Sequence, residues 1–115
     1  AERFVPTLEA YVEGDEYHVR AEIPGVDPET IDLSLHDNTL TIKGERKTSK
    51  ERKDEGYFLR EIAYGRFERS VMLPEGADTE KINARYEKGV LHITVPVKGE
   101  LAPKKVPVEV AAGEK

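Results

Sequence analysis

The sequence contains no cysteine. This excludes thiol nucleophiles, thiolate-ligated zinc and disulfide staples, and it fits a reducing compartment. No apolar run approaches the ~18 residues of a membrane span. The opening Ala1-Glu2-Arg3-Phe4 does not read as a secretory signal. A soluble, cytoplasmic chain with no membrane partner is expected. No phosphate-cradling loop is present, because the glycines stand singly at turns. No G-x-S-x-G elbow surrounds Ser34, Ser49 or Ser70. No HxH or HExxH spacing links His18, His36 and His92, which are dispersed and fall on the polar phase of their segments. Nothing marks a pair of carboxylates for acid–base work, since acidic residues lie among Lys and Arg on outward phases or in turns. These absences predict a protein that is not an enzyme and takes no cofactor or metal.

A chain of 115 residues is long enough for one domain with one core. Its 18 basic and 23 acidic residues give a net charge of −5, which argues against a nucleic-acid partner. Gly65-Arg66-Phe67-Glu68-Arg69 sets basic residues around an aromatic, as an RNA surface can. The charge balance favours a plain strand with Phe67 in the core.

Period-two alternation runs through most of the chain. Leu8, Ala10 and Val12 alternate with Thr7, Glu9 and Tyr11. After Gly14-Asp15, Tyr17, Val19, Ala21 and Ile23 repeat the pattern until Pro24-Gly25 stops it. Ile31, Leu33 and Leu35 form another set, and Asp37-Asn38 turns the chain into Leu40 and Ile42. Phe67, Val71 and Leu73 share a phase with Arg69. Ile82, Ala84 and Tyr86 follow, and Gly89 turns into Leu91, Ile93 and Val95. Each set predicts a half-buried strand bounded by turn residues. About seven such strands predict an all-β sandwich. No helical stripe appears, and Asp27-Pro28-Glu29-Thr30 predicts a single helical turn capped by Asp27.

Two segments break the rhythm. Residues 43–56 carry mixed charges without an apolar residue and read as a solvated loop leading to Tyr57-Phe58-Leu59. The tail from Lys98 passes Gly99 and Pro103 before Val106-Pro107-Val108-Glu109-Val110, a strand-like pattern beyond a breaker-rich linker. A sandwich leaves open edges that recruit other chains. Val106 and Val108, two positions apart, suit docking of an extended peptide on such an edge, and Pro107 between them restricts pairing to one side. Val108 and Val110 form an alternative pair. Residues 111–115 read as disordered.

Several blocks resemble the small heat-shock proteins. Gly65-Arg66-Phe67-Glu68-Arg69-Ser70-Val71-Met72-Leu73-Pro74 is similar to their G-x-F-x-R-x-F-x-L-P segment, with Val71 for the second Phe. Ala84 to Leu91 matches the A-x-x-x-x-G-V-L signature of their α-crystallin domain. Glu22-Ile23-Pro24-Gly25-Val26, Leu40-Thr41-Ile42-Lys43-Gly44-Glu45-Arg46 and the tail Val106-Pro107-Val108 resemble further blocks in the same order. The resemblance covers about residues 6–110.

It implies an immunoglobulin-like β-sandwich acting as an ATP-independent holdase that keeps unfolding proteins from aggregating. It divides the chain into a remnant of an N-terminal arm at 1–5, an α-crystallin domain at 6–97 and a C-terminal extension at 98–115 with its anchor at 106–108. Family members usually carry a longer arm, so a truncated chain is expected. The resemblance also implies a homodimer exchanging a strand on a long loop, here 47–64, with the exchanged strand at Tyr57, Phe58 and Leu59. That strand would pair with the partner's first strand, at Leu8, Ala10 and Val12. Arg69 would lie at the dimer interface. Val106 and Val108 would anchor higher oligomers in a groove lined by Ile31, Leu33, Leu35, Ile82, Ala84 and Tyr86, which unfolding clients would also use. The rival reading is a sandwich-type co-chaperone or adaptor that binds one folded partner.

Overall fold

The computed structural model describes residues 4–47, 56–98 and 106–113. Among these residues are seven strands: β1 Thr7–Glu13, β2 Glu16–Glu22, β3 Asp32–His36, β4 Thr39–Arg46, β5 Gly65–Met72, β6 Asn83–Glu87 and β7 Val90–Pro96. They form two antiparallel sheets, one in the order β1-β2-β7-β6 and one in the order β3-β4-β5. The expected all-β sandwich is what the chain adopts, and the alternation explains why. Val19, Ala21, Leu91, Ile93 and Val95 from the first sheet, with Ile23 just past β2, form one buried cluster with Leu40, Ile42, Phe67 and Leu73 from the second sheet and its exit. Fully burying each of these Val, Leu, Ile and Phe side chains is worth roughly 1.5 to 3 kcal/mol.

Turn chemistry sets the registers. Between β6 and β7, Lys88 and Gly89 both have positive φ (54° and 80°), as the tight hairpin turn that matches strand twist requires. Gly89 is also pinned from outside. Its carbonyl accepts from Ile23 N at 2.8 Å, and an added Cβ would meet Pro24 Cα at 3.1 Å. The predicted single turn after β2 is present as a 3-10 turn, Pro28–Thr30, with Asp27 Oδ1 accepting from Glu29 N at 3.0 Å. A second such turn, Thr79–Lys81, is capped the same way by Asp78.

One expectation fails at the start of the charged segment. Residues 43–46 are not loop, because β4 runs on through Lys43, Gly44, Glu45 and Arg46, paired to β5 as far as Arg46↔Gly65. The alternation persists there, with Gly44 and Arg46 on the inward phase of Leu40 and Ile42. It is hidden only because neither residue is apolar. Gly44 is needed at its place. A Cβ there would lie 2.6 Å from Phe67 Cε2 and 3.3 Å from Val26 Cγ1. The expected loop at 48–55 lies outside the described residues.

Candidate functional site

The surfaces available for binding are the strand edges and the segments that the sandwich leaves unpaired. In the four-stranded sheet β1 pairs only with β2, which leaves its outer edge open among the described residues. Of the expected acceptor residues, Leu8 and Val12 are half-buried and Ala10 is exposed. Residues 57–59 form no strand within their own chain. Phe58 is fully exposed, and Leu59 and Ile62 are largely so.

The opposite edges are β6 in the first sheet and β3 in the second. Ile31, Leu33, Ile82 and Tyr86 from these edges pack partly buried against the same core, whereas Leu35 and Ala84 are exposed. The Tyr86 hydroxyl is occupied, donating to Ile23 O at 2.9 Å. Val106, Val108 and Val110 are all exposed, and residues 106–110 form no strand. Neither anchor register is seated on this chain's own edge.

The chain belongs to the Hsp20/alpha crystallin family. The family model matches residues 9–110. The chain is 40% identical over 93 residues to small heat shock protein C2 of Rickettsia felis, covering 81% of this chain and 60% of that one. It is 45% identical over 91 residues to an alpha-crystallin of Mycobacterium tuberculosis, covering 78% and 60% respectively. It thus spans about 60% of the length of these relatives. A small heat-shock protein of Xylella fastidiosa superposes with a TM-score of 0.75 at 34% identity, covering 93% of this chain and 98% of that one. The sandwich is accordingly the α-crystallin fold of this family.

Within that fold, Arg69 is half-buried on the inward phase of β5. A guanidinium on an inward phase needs a polar partner. The structure gives it a backbone partner in the same chain, with Nη1 donating to Pro6 O at 2.7 Å. The long side chain reaches from one sheet to the entrance of β1 in the other. A carbonyl at that entrance, ahead of the strand ladder, is a free acceptor for it.

The three histidines, expected to be dispersed on polar faces, are not all apart. His36 is exposed beside Asp37 as expected. His18 and His92 are brought together: His18 is 8% exposed, and its Nδ1 lies 3.0 Å from His92 Nε2. Tyr11 stacks on the His18 ring at 4.9 Å, and Glu16 Oε1 approaches its other nitrogen at 3.8 Å. Alternation places both histidines on the outer face. It does not show that β2 and β7 are neighbours, with His92 opposite Arg20 and diagonal to His18. Among the described residues, no group of three or more metal-ligating side chains exists, and no helix is long and apolar enough to cross a membrane.

Sequence reasoning missed one cluster altogether. Arg46 donates from Nε and Nη2 to Ala63 O at 3.0 and 2.6 Å, and from Nη1 to Pro24 O at 3.0 Å. Its guanidinium carbon lies 3.7 Å from the centroid of the Phe4 ring. Phe4 meets Phe67 edge-on at 5.6 Å. The available signal was the continued inward phase through Gly44 to Arg46.

Proposed function

We propose that the chain is an ATP-independent holdase chaperone of the cytoplasm that captures unfolding proteins through apolar side chains and open strand edges. Membership of the Hsp20/alpha crystallin family supports the chaperone role. The observation that carries the capture mechanism is the set of large apolar side chains that a single chain, 36% charged, leaves exposed and that clients and neighbouring protomers would compete to cover: Phe58, Leu59, Ile62, Val106, Val108 and Val110. Apolar capture is non-directional and therefore tolerant of client identity. The surrounding charge keeps a loaded complex in solution.

The working unit in this proposal is a homodimer. Tyr57, Phe58 and Leu59 of one protomer pair with the open edge at Leu8, Ala10 and Val12 of the other. Val106 and Val108 dock on the β3 and β6 edges of a neighbouring dimer, and Arg69 lies close to the dimer junction. The small heat-shock protein of Xylella fastidiosa has a distinct high order structure, which supports self-association here by likeness.

Light scattering of an unrelated protein during heating tests the reading. The chain is expected to suppress scattering in proportion to its amount, equally with and without ATP. Suppression that needs ATP, or protection of one folded partner alone, would replace the holdase by a driven chaperone or an adaptor.

A further inference from the structure

Phe4, Val5 and Pro6 precede β1 and belong to no strand. Their side chains nonetheless alternate as an extended chain does. Phe4 is half-buried, Val5 is exposed and Pro6 is buried. The Phe4 ring lies between the edge-on contact with Phe67 and the guanidinium of Arg46. Two residues on, the Pro6 carbonyl accepts from Arg69. The cradle thus reads an aromatic ring at one position and a backbone carbonyl two positions later. Every residue supplies a carbonyl, so only the ring is selected.

The cradle does not depend on Phe4 for its shape. Arg46 is held by the carbonyls of Ala63 and Pro24, and Phe67 is buried against Gly44. A site held open by its own scaffold is preorganised for a ligand. Apart from its ring contacts and the Arg69 bond at Pro6, the present occupant has few ties. Among the described backbone hydrogen bonds outside the strands, none involves residues 4–6. Beside the ring an open cavity of about 710 Å³ is lined by Phe4, Val5, Pro24, Arg46, Ile62 and Tyr64, among others, leaving room for an incoming chain.

We propose that this cradle is an aromatic-binding slot that Phe4 occupies as a built-in competitor. An aromatic side chain on an extended segment of an unfolding protein takes Phe4's place, its ring beneath Arg46 and its following carbonyl on Arg69. Phe4 is then an autoinhibitory plug. The client half of this proposal rests on the capture function proposed above.

The test uses the full chain, a Phe4→Ala variant and a hexapeptide with the sequence of residues 2–7, alongside the same peptide with Ala for Phe. The Arg46 Nε–H and Phe67 ring signals are followed by NMR. A tethered competitor acts at roughly millimolar effective concentration. The Phe peptide is therefore expected to shift these signals in Phe4→Ala at concentrations about tenfold or more below those the unchanged chain needs. The Ala peptide is expected to leave them in place. In the scattering assay Phe4→Ala is expected to protect a heated protein at a lower molar ratio than the unchanged chain.

Phe4→Leu keeps apolar filling against Phe67 but removes the ring face from Arg46. It serves if Phe4→Ala does not fold, with an intermediate peptide response expected. Equal responses to both peptides, or none to either, overturn the slot. Phe-selective binding with unchanged protection by the variant overturns its use by clients. If the unchanged chain itself fails to protect, the capture function fails and the peptide titration still decides the slot.

Discussion

Arg69 on β5 donates to the carbonyl of Pro6 at 2.7 Å, joining the edge of one sheet to the entrance of the first strand of the other. Removing the donor leaves a partly buried carbonyl without it, and such losses cost about 1 to 3 kcal/mol. Arg69→Met keeps most of the apolar stem and removes the donor. It is expected to lower the unfolding free energy by that amount, read as a lower urea midpoint at unchanged slope, at every protein concentration. If Arg69 also reaches the partner in the dimer, the loss grows on dilution. A midpoint equal to the unchanged chain's at all concentrations would show that the hydrogen bond contributes nothing.

Gly44 is expected to tolerate no side chain. Its Cβ would lie 2.6 and 2.8 Å from the Phe67 ring, which is 5% exposed and packed in the core. Overpacking of this kind costs about 1 to 3 kcal/mol. Gly44→Ala should lower the urea midpoint with an unchanged slope and alter the near-ultraviolet dichroism of the aromatic cluster. A variant as stable as the unchanged chain would show that the ring gives way freely.

The proposed strand exchange depends on the segment between β4 and β5. These strands pair as far as Arg46↔Gly65, so a short turn can join them. Deleting residues 47–60 and closing with a Gly-Ser turn should yield a folded monomer. Sedimentation that finds the same dimer before and after deletion rules out the exchange.

The tail prediction separates two registers. If Val106 and Val108 dock on a neighbour, each contributes up to about 1.5 to 3 kcal/mol, and changing both to Ala should shift native mass spectra from higher oligomers to dimers. If Val108 and Val110 are the pair, Val106→Ala alone leaves the spectra as they were. Identical spectra for the Val106→Ala/Val108→Ala variant, a Val108→Ala/Val110→Ala variant and the parent remove the tail from assembly.

Tyr17 lies on the inward phase of β2, and burial raises its hydroxyl above the ordinary 10.0. The folded state therefore holds the phenolic proton more tightly than the unfolded state. The stability from neutral Tyr17 is fully present below about pH 10, and it declines as pH climbs from there towards the raised folded-state value. Tyr17→Phe cannot ionise. Its urea midpoint should fall less steeply than the parent's above about pH 10. Parallel curves would mean that the Tyr17 environment does not distinguish the two protonation states.

The sequence by itself determined the strands and their inward faces, because alternation is a local property of an extended backbone in which every second side chain shares a side. Asp27 capping its turn and Lys88-Gly89 closing the last hairpin are equally local. The order of family blocks was also legible, since it lies along the chain. Tertiary structure alone decided which strands became neighbours, and so which outward residues met. His18 and His92, 74 positions apart, share a hydrogen bond because β2 pairs with β7. Arg46 looked like part of a solvated run because charge hides an inward phase. It acquired its role only when Pro24, Ala63 and Phe4 converged on it from three separate stretches of chain. Arg69 likewise shares the apolar phase of its strand, and only folding brought the Pro6 carbonyl, which lies ahead of the strand ladder, within reach of its guanidinium.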